Sequence, residues 1–298
     1  MKNSWLFIIL IVFSVNLNAQ NRSTSFSRLL GDQEINNPAY SAYRQKMSFK
    51  LMYHSQFGSL KGNSQSYAAN FTYPVVGSKV GSFLNVSNED IGLHNVLNIK
   101  GGVNSCIKIS SFAYLSGGIS LGVQNRMYRK DEAICDEDVD LSQIDLNDNK
   151  INLGVGLYYF DPYMFAGIAL NDISSVDNLR YSNFDMYVGY NYSFFPYRYI
   201  LRSSVLYKYY NSSNIFHIDE KLFYGEKCGV GFSYTFSYEW AMSFDLKLGK
   251  DIWCFYSYEN HLNVADFALK SHTIGLYYNP KYLKRIFKNV LRFRNLYN

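Results

Sequence analysis

The chain has 298 residues, is rich in Tyr (28) and Phe (22), has only 5 Pro, and carries a formal net charge of +5. The positive charge is uneven, because residues 279–298 hold six basic and no acidic side chains while the rest of the chain is close to neutral. No basic face recurs through the body of the chain, which argues against a nucleic-acid-binding protein.

Residues 1–19 have the three parts of a secretory signal peptide. Lys2 provides a positive start, an apolar run follows over Trp5–Val15, and Leu17-Asn18-Ala19 places a small residue before Gln20. We therefore predict export and cleavage after Ala19. No Cys directly follows the apolar run, so lipid attachment is not expected.

A marked turn follows the signal peptide and a mostly polar stretch over residues 21–34. It reads Asn36-Asn37-Pro38-Ala39-Tyr40. Pro38 has no N–H and a fixed φ, and it pushes Asn37 towards an extended conformation. We predict that residues 20–45 form an irregular segment, in which residues 36–43 are a turn before the first strand and not part of a helix.

Short segments of alternating polarity fill residues 46–279. Most run about nine to eleven residues, the length that a tilted strand needs to cross a bilayer. In residues 152–159, for example, Leu153, Val155 and Leu157 fall on one face, and small residues such as Gly156 fall on the other. Small inward residues relieve crowding or let the backbone of a plug approach. We predict about 14 strands, over residues 46–56, 64–74, 79–88, 96–108, 113–126, 150–160, 163–170, 184–194, 199–210, 215–223, 227–237, 240–248, 252–259 and 271–279.

These segments predict an all-β fold, a transmembrane antiparallel β-barrel with short periplasmic turns and longer external loops. Residues 20–45 would then lie in the periplasm or plug the barrel. The alternative is a soluble secreted β-sandwich. The barrel is favoured because the strand count is even and because short connections such as Asp161-Pro162 alternate with long ones such as Asp131–Asn149. No window after Gln20 approaches the roughly 20 apolar residues of a membrane helix.

One predicted external loop, residues 131–148, concentrates eight carboxylates and has no Lys or Arg. Ca²⁺ takes six to eight oxygen ligands, but the glycine and the terminal Glu of an EF-hand are missing here. A solvated surface loop is therefore favoured over a metal site. Exposure to the outside would make Asp136, Glu137, Asp138 and Asp140 candidates for contacts with an external protein.

Residues 280–298 form a basic tail in which Leu283, Phe287, Val290 and Leu291 fall on one helical face. This pattern indicates a basic amphipathic helix that lies on the inner leaflet or docks on a periplasmic partner. The alternative is a frayed terminus. Candidate periplasmic contacts in the tail are Lys284, Arg285 and Lys288.

No pattern of residues indicates catalysis or a cofactor. The four cysteines share no CxxC pair, so neither a metal framework nor a dense disulfide scaffold is expected, although an occasional disulfide stays open. The five histidines form no HExxH, and the chain has no GxGxxG. His54 and Ser55 are adjacent, but neighbours on a strand point to opposite faces. We predict no enzyme, no cofactor and no metal.

Several stretches resemble the PorP/SprF family of outer-membrane proteins, which is linked to the type IX secretion system and gliding motility of Bacteroidetes. Asn37-Pro38-Ala39-Tyr40 is similar to the family's NPAYAG motif, with Ser41-Ala42 in place of its last two residues. Gln56 retains one residue of a Tyr-Arg-x-Gln-Trp strand. Residues 88–92 stand in the place of an NDxIG motif, and residues 152–160 resemble NxGxGxYYY.

The resemblance implies a non-enzymatic barrel in the cell outer membrane that supports secretion or surface attachment of sorting-domain proteins, such as adhesins and gliding-related cargo. The implied partners are outer-membrane lipid, components of the secretion machinery and the secreted cargo. We expect the acidic loop to contact cargo, and Asn37–Tyr40 and the basic tail to contact periplasmic partners. A passive porin or a channel for hydrophobic substrates is the alternative.

Overall fold

The computed structural model describes residues 36–41, 47–56, 63–74, 79–129, 148–173, 183–194, 198–210, 213–225, 227–236, 239–261 and 270–278. Strands account for most of these residues, because alternating side chains rich in Tyr, Phe, Val and Ile suit a pleated surface with one apolar face. The strands are β1 (Ser48–Gln56), β2 (Ser64–Pro74), β3 (Val80–Ile91), β4 (His94–Lys108), β5 (Tyr114–Tyr128), β6 (Asp148–Phe160), β7 (Met164–Ile173), β8 (Asn183–Phe194), β9 (Tyr199–Tyr210), β10 (Ser213–Tyr224), β11 (Cys228–Thr235), β12 (Glu239–Lys247), β13 (Ile252–His261) and β14 (Lys270–Tyr278).

The 14 strands form one closed antiparallel barrel in which each strand pairs with its neighbours in the sequence. β1 closes the barrel against β14, with Phe49 opposite Tyr278 at one end and Ser55 opposite His272 at the other. Closure leaves no open sheet edge, which is the condition for strands to exist in lipid. The predicted fold class and strand count are confirmed, and every strand lies within three residues of its predicted bounds.

The outer surface of the barrel is apolar. On β5, Ile119, Leu121 and Val123 have exposed fractions of 60%, 59% and 52%, whereas Ser120 and Gly122 between them are buried on the inner side. The other strands repeat this alternation. An outward apolar band with a polar interior is the pattern of a transmembrane barrel and the reverse of a soluble one.

The two ends of the barrel differ in the length of their connections. At one end all six connections have five residues or fewer, whereas at the other end three connections have eight residues or more. Short turns are typical of the periplasmic side and longer loops of the outside, so we call these the periplasmic end and the external end. The predicted asymmetry is confirmed. Among the described residues, no helix is long and apolar enough to cross a bilayer.

A charge on the outer face should destabilise the barrel according to its depth in the membrane. Leu121→Arg, near the middle of β5, should lower the free energy of unfolding by about 2–4 kcal/mol, because the guanidinium would lie in hydrocarbon. Ile107→Arg, next to the periplasmic end of β4, should cost about 0–1 kcal/mol. Denaturant titration of the protein folded into phospholipid vesicles would measure both values, and equal costs would contradict the depths assigned to these two residues.

Candidate functional site

Residues 36–41, which we call the plug, form a tight turn whose shape is set by its own sequence. The N–H of Tyr40 donates to the carbonyl of Asn37 at 3.1 Å, and the N–H of Ala39 donates to the Asn37 side-chain Oδ1 at 2.8 Å. Asn at the first position and Pro at the second are residues that favour such a turn. The predicted turn is therefore present from Asn37 onward, whereas Asn36 is helical, so the prediction of no helix is wrong at that residue.

The plug lies inside the barrel. Asn37, Pro38, Ala39, Tyr40 and Ser41 are all buried. The side-chain amide of Asn37 points at the wall, where its Nδ2 lies 2.9 Å from the carbonyl of Leu157, 3.3 Å from the carbonyl of Ile168 and 3.1 Å from the hydroxyl of Tyr187. One short side chain thus connects the turn to three neighbouring strands, β6, β7 and β8.

Polar side chains of the wall satisfy the carbonyl groups of the plug. Asn104 donates to the carbonyl of Pro38 at 2.6 Å, and Ser116 donates to the carbonyl of Ala39 at 2.6 Å. Asn171 donates to the carbonyl of Asn36 at 2.6 Å. An irregular segment can be buried only if its backbone polar groups find such partners. The wall is therefore built to hold this turn.

Two glycines of the wall leave the space that the plug occupies. A Cβ at Gly118 on β5 would collide with the carbonyl oxygen of Pro38. A Cβ at Gly156 on β6 would collide with the side-chain oxygen of Asn37. Glycine inside a strand often marks the close approach of another backbone. At these two positions the absence of a side chain leaves room for the plug.

Aromatic side chains pack around the plug in the periplasmic half of the lumen. The ring of Tyr40 meets the ring of Tyr158 edge to face, with centroids 5.0 Å apart. Edge-to-face pairs of this kind are a favoured aromatic geometry. The buried apolar cluster around this pair also contains Ala39, Phe160, Phe165, Tyr187 and Leu206. The plug therefore contributes to an apolar core inside the barrel.

A polar cavity of about 240 Å³ lies next to Asn36 in the external half of the lumen. Lys208 and Asp185 form an ion pair across it at 3.7 Å, and both side chains are nearly fully buried. Lys100 donates to the side-chain oxygen of Asn171 at 2.6 Å, and the amide of Asn171 also lies 3.2 Å from Asp185. Asn171, which donates to the plug, is thus also part of a charged network. Such paired charges suit a closely packed polar interior.

Cations lie against aromatic rings on the part of the wall next to the plug, from β7 to β10. The guanidinium of Arg202 lies 5.5 Å from the ring centroid of Phe165 and 5.8 Å from that of Phe223. Lys221 forms an ion pair with Asp245 at 2.8 Å, and its ammonium also lies 5.9 Å from Phe223. Cation–π contacts of this length are favourable. Long side chains therefore fill much of this side of the lumen.

Of the predicted site residues, the structure brings together Asn37, Pro38, Ala39 and Tyr40, all of them inside the barrel. The acidic residues Asp136, Glu137, Asp138 and Asp140 and the basic residues Lys284, Arg285 and Lys288 lie outside the described residues, as does the predicted signal peptide. A role in binding partners stays a prediction for all of them. The wall residues Asn104, Ser116 and Asn171 were missed, and their only signal in the sequence is a small or amide side chain at an inward position.

The sequence matches the family model described as "Type IX secretion system membrane protein PorP/SprF" over residues 18–278. The chain belongs to the PorP/SprF family. Family membership and the barrel fold together place this PorP/SprF protein in the cell outer membrane. The match also confirms the family expected from the Asn37-Pro38-Ala39-Tyr40 motif. No curated protein sequence matches the chain.

Solved structures similar to this PorP/SprF protein are barrels with little sequence likeness. A deletion mutant of the monoaromatic hydrocarbon channel TodX has a TM-score of 0.52 at 9% identity, covering 83% of this chain and 94% of that one. The monoaromatic hydrocarbon channel CymD has a TM-score of 0.51 at 9% identity, covering 85% and 93%. The outer membrane protein Omp33 of Acinetobacter baumannii has a TM-score of 0.48 at 9% identity, covering 79% and 99%. The first two likenesses support the fold alone.

Filling the space at Gly118 should displace the plug. In a protein carrying Ala39→Cys, the new thiol should react slowly with a water-soluble maleimide, because residue 39 is fully buried. Adding Gly118→Val should accelerate labelling by about tenfold or more, since overpacking costs about 1–3 kcal/mol. Mass spectrometry of the peptide that contains residue 39 separates this signal from the native cysteines.

Gly117→Val is the matched control for this experiment. Gly117 faces outward, and a Cβ there would meet only Leu157 Cδ2, at an ordinary 3.6 Å. Labelling of the introduced thiol should therefore stay slow in this variant. If both substitutions accelerated labelling equally, residue 39 would be exposed by distortion of the strand. A collision between residue 118 and the plug would then not be the cause.

Removing the Asn37 amide should destabilise the whole barrel. Asn37→Ala leaves wall acceptors without their donor, and each lost hydrogen bond contributes about 0.5–1.5 kcal/mol. We expect unfolding stability to fall by about 1–3 kcal/mol in a denaturant titration in detergent. Asn125→Ala, which removes an exposed amide bond to Asn149, should change stability by about 0.5 kcal/mol or less. Equal effects would mean that the plug is not coupled to barrel stability.

Proposed function

We propose that this PorP/SprF protein is a non-enzymatic barrel that supports type IX secretion, or the surface attachment of sorting-domain proteins such as adhesins and gliding-related cargo. The observation that carries this inference is the plug, which occupies lumen space that a wide pore would need. Its turn is buried and bound by Asn104, Ser116 and Asn171. Because the plug occupies the lumen, the loops and the ends of the barrel are the surfaces that remain for binding.

The polar groups of the lumen favour a structural role over catalysis. His54 Nδ1 and Thr273 Oγ1 are 2.8 Å apart, which resembles the base and hydroxyl of a hydrolase. However, Thr273 Oγ1 also lies 3.1 Å from Glu259 Oε1, so the hydroxyl is shared within a buried network. None of these three residues lines the polar cavity beside the plug. A substrate in that cavity would not meet them.

We infer that each end of the barrel contacts a different partner. We infer that Asp136, Glu137, Asp138 and Asp140 contact cargo on the outside, since blocks of like charge act as interaction segments. The basic tail, with Lys284, Arg285 and Lys288, contacts periplasmic components of the secretion machinery. For Asn37–Tyr40 we infer an anchoring role, in which the buried turn ties the N-terminal segment to the wall so that partners can bind beside it.

Affinity purification from the native outer membrane, followed by mass spectrometry, tests this function. We expect a sorting-domain protein and secretion-machine components to co-purify with the barrel. Neutralising the four acidic residues (Asp→Asn, Glu→Gln) should reduce recovery of cargo alone, because their charge would face outward. Replacing the three basic tail residues with Ser should reduce recovery of the periplasmic components alone.

A passive channel for small solutes or hydrophobic compounds is the competing function, and liposome swelling distinguishes it. An anchor with a plugged lumen should give little solute flux. Flux that falls with solute size, together with a barrel that purifies without partners, would contradict the proposed role. The same swelling assay on the Gly118→Val variant provides a positive control, because displacing the plug should increase flux.

A further inference from the structure

Three metal-ligating side chains meet in the lumen on adjacent strands near the external end of the barrel. Glu239 begins β12, and it pairs across the sheet with His261, the last residue of β13. Glu259 lies two residues before His261 and therefore faces the same side of the strand. Glu239 and Glu259 are buried, with only 3% exposure each. Strand register alone thus brings two carboxylates and an imidazole together.

The distances between these groups fit one bound metal ion. One ligand atom from each of Glu239, Glu259 and His261 can be chosen so that all three lie within 4.8 Å of one another. His261 Nδ1 is 3.3 Å from Glu239 Oε2. A tetrahedral Zn²⁺ with ligands at about 2.0–2.2 Å separates its ligand atoms by about 3.4 Å. Small side-chain movements would therefore complete a three-ligand set.

Neighbouring hydroxyl groups hold the ligands in orientation. Ser271 Oγ lies 2.9 Å from His261 Nε2, which leaves Nδ1 directed at Glu239. Thr273 donates to Glu259 Oε1 at 3.1 Å, and the ring of His54 lies 2.8 Å from the same hydroxyl. Metal-binding histidines and carboxylates in proteins are typically oriented by such outer contacts. These groups come from β14 and β1, so four neighbouring strands build the site.

We propose that Glu239, Glu259 and His261 bind a divalent transition-metal ion, with Zn²⁺ as the best fit. Mixed nitrogen and oxygen ligands suit Zn²⁺, whereas Ca²⁺ requires six to eight oxygen ligands. Buried charged side chains are paired or coordinate metals, and an ion here would be coordinated by both carboxylates. It would join β12 to β13 at the end of the barrel where the longer loops begin. This inference does not depend on the proposed role in secretion.

Metal binding can be measured directly on the full mature protein. The protein is folded in detergent, treated with chelator, and titrated with Zn²⁺ in a calorimeter. We expect one Zn²⁺ to bind per barrel with saturation, and Ca²⁺ to give no comparable signal. X-ray absorption should show only nitrogen and oxygen ligands at about 2.0–2.1 Å, whereas binding to a native cysteine would add sulfur at about 2.3 Å.

Conservative variants assign the binding to these residues. The pair of substitutions Glu239→Gln and His261→Asn retains polar groups but removes two ligands, and affinity should fall by at least about 100-fold, more than loss of an outer-shell contact. Glu220→Gln and His272→Gln form the matched control. Glu220 bonds to Ser203 and His272 to Tyr256, both at exposed sites, so affinity should not change.

Three results would overturn the proposal. The first is the absence of saturable Zn²⁺ binding by the folded wild-type protein, which would mean that Glu239 and His261 form an ion pair without a metal. The second is a sulfur-containing coordination shell, and the third is equal Zn²⁺ affinity in the double variant and the control. If the double variant does not fold, as judged by its migration on unheated gels, Glu259→Gln and the spectrum of the wild type still decide the question.

Discussion

Closure of the strand hydrogen bonds between β1 and β14 is the constraint on which the rest of the structure depends. In hydrocarbon an unpaired N–H or C=O costs several kcal/mol, so a sheet can cross a bilayer only without edges. Fourteen antiparallel strands meet this condition with connections between sequence neighbours alone. The outer face is apolar because it contacts lipid. Exposed Ile, Leu and Val side chains are favourable in hydrocarbon and unfavourable in water.

Closure also creates an interior, and in this PorP/SprF protein two features occupy part of it. On one wall, the turn at Asn37–Tyr40 packs against glycines and accepts hydrogen bonds from amide and hydroxyl side chains. On β9 to β12, Lys221 pairs with Asp245, and the cations of Arg202 and Lys221 lie against aromatic rings. Both features obey the same rule, that buried polar groups must be paired.

The motif that this chain shares with the family, Asn37-Pro38-Ala39-Tyr40, has a structural role inside the barrel. The side-chain amide of Asn37 connects the turn to β6, β7 and β8. The fixed φ of Pro38 shapes the turn. Tyr40 packs its ring on Tyr158 within an apolar cluster. We therefore expect the turn to contribute to the stability of the barrel. A filled barrel of this kind would leave its loops and tail for the binding role that we propose.

The sequence by itself determined the fold, because a side-chain period of two and strands of bilayer length leave few alternatives to a barrel in an exported chain. It also determined the family, through residues 37–40 and several spaced strands, and it correctly divided outward Leu153 and Val155 from inward Gly156. Only the tertiary structure decided which distant residues meet. Asn37 and Leu157 are 120 positions apart, and His54 and Thr273 are 219 apart. Strand order and register set these contacts, and a local pattern carries no information about them.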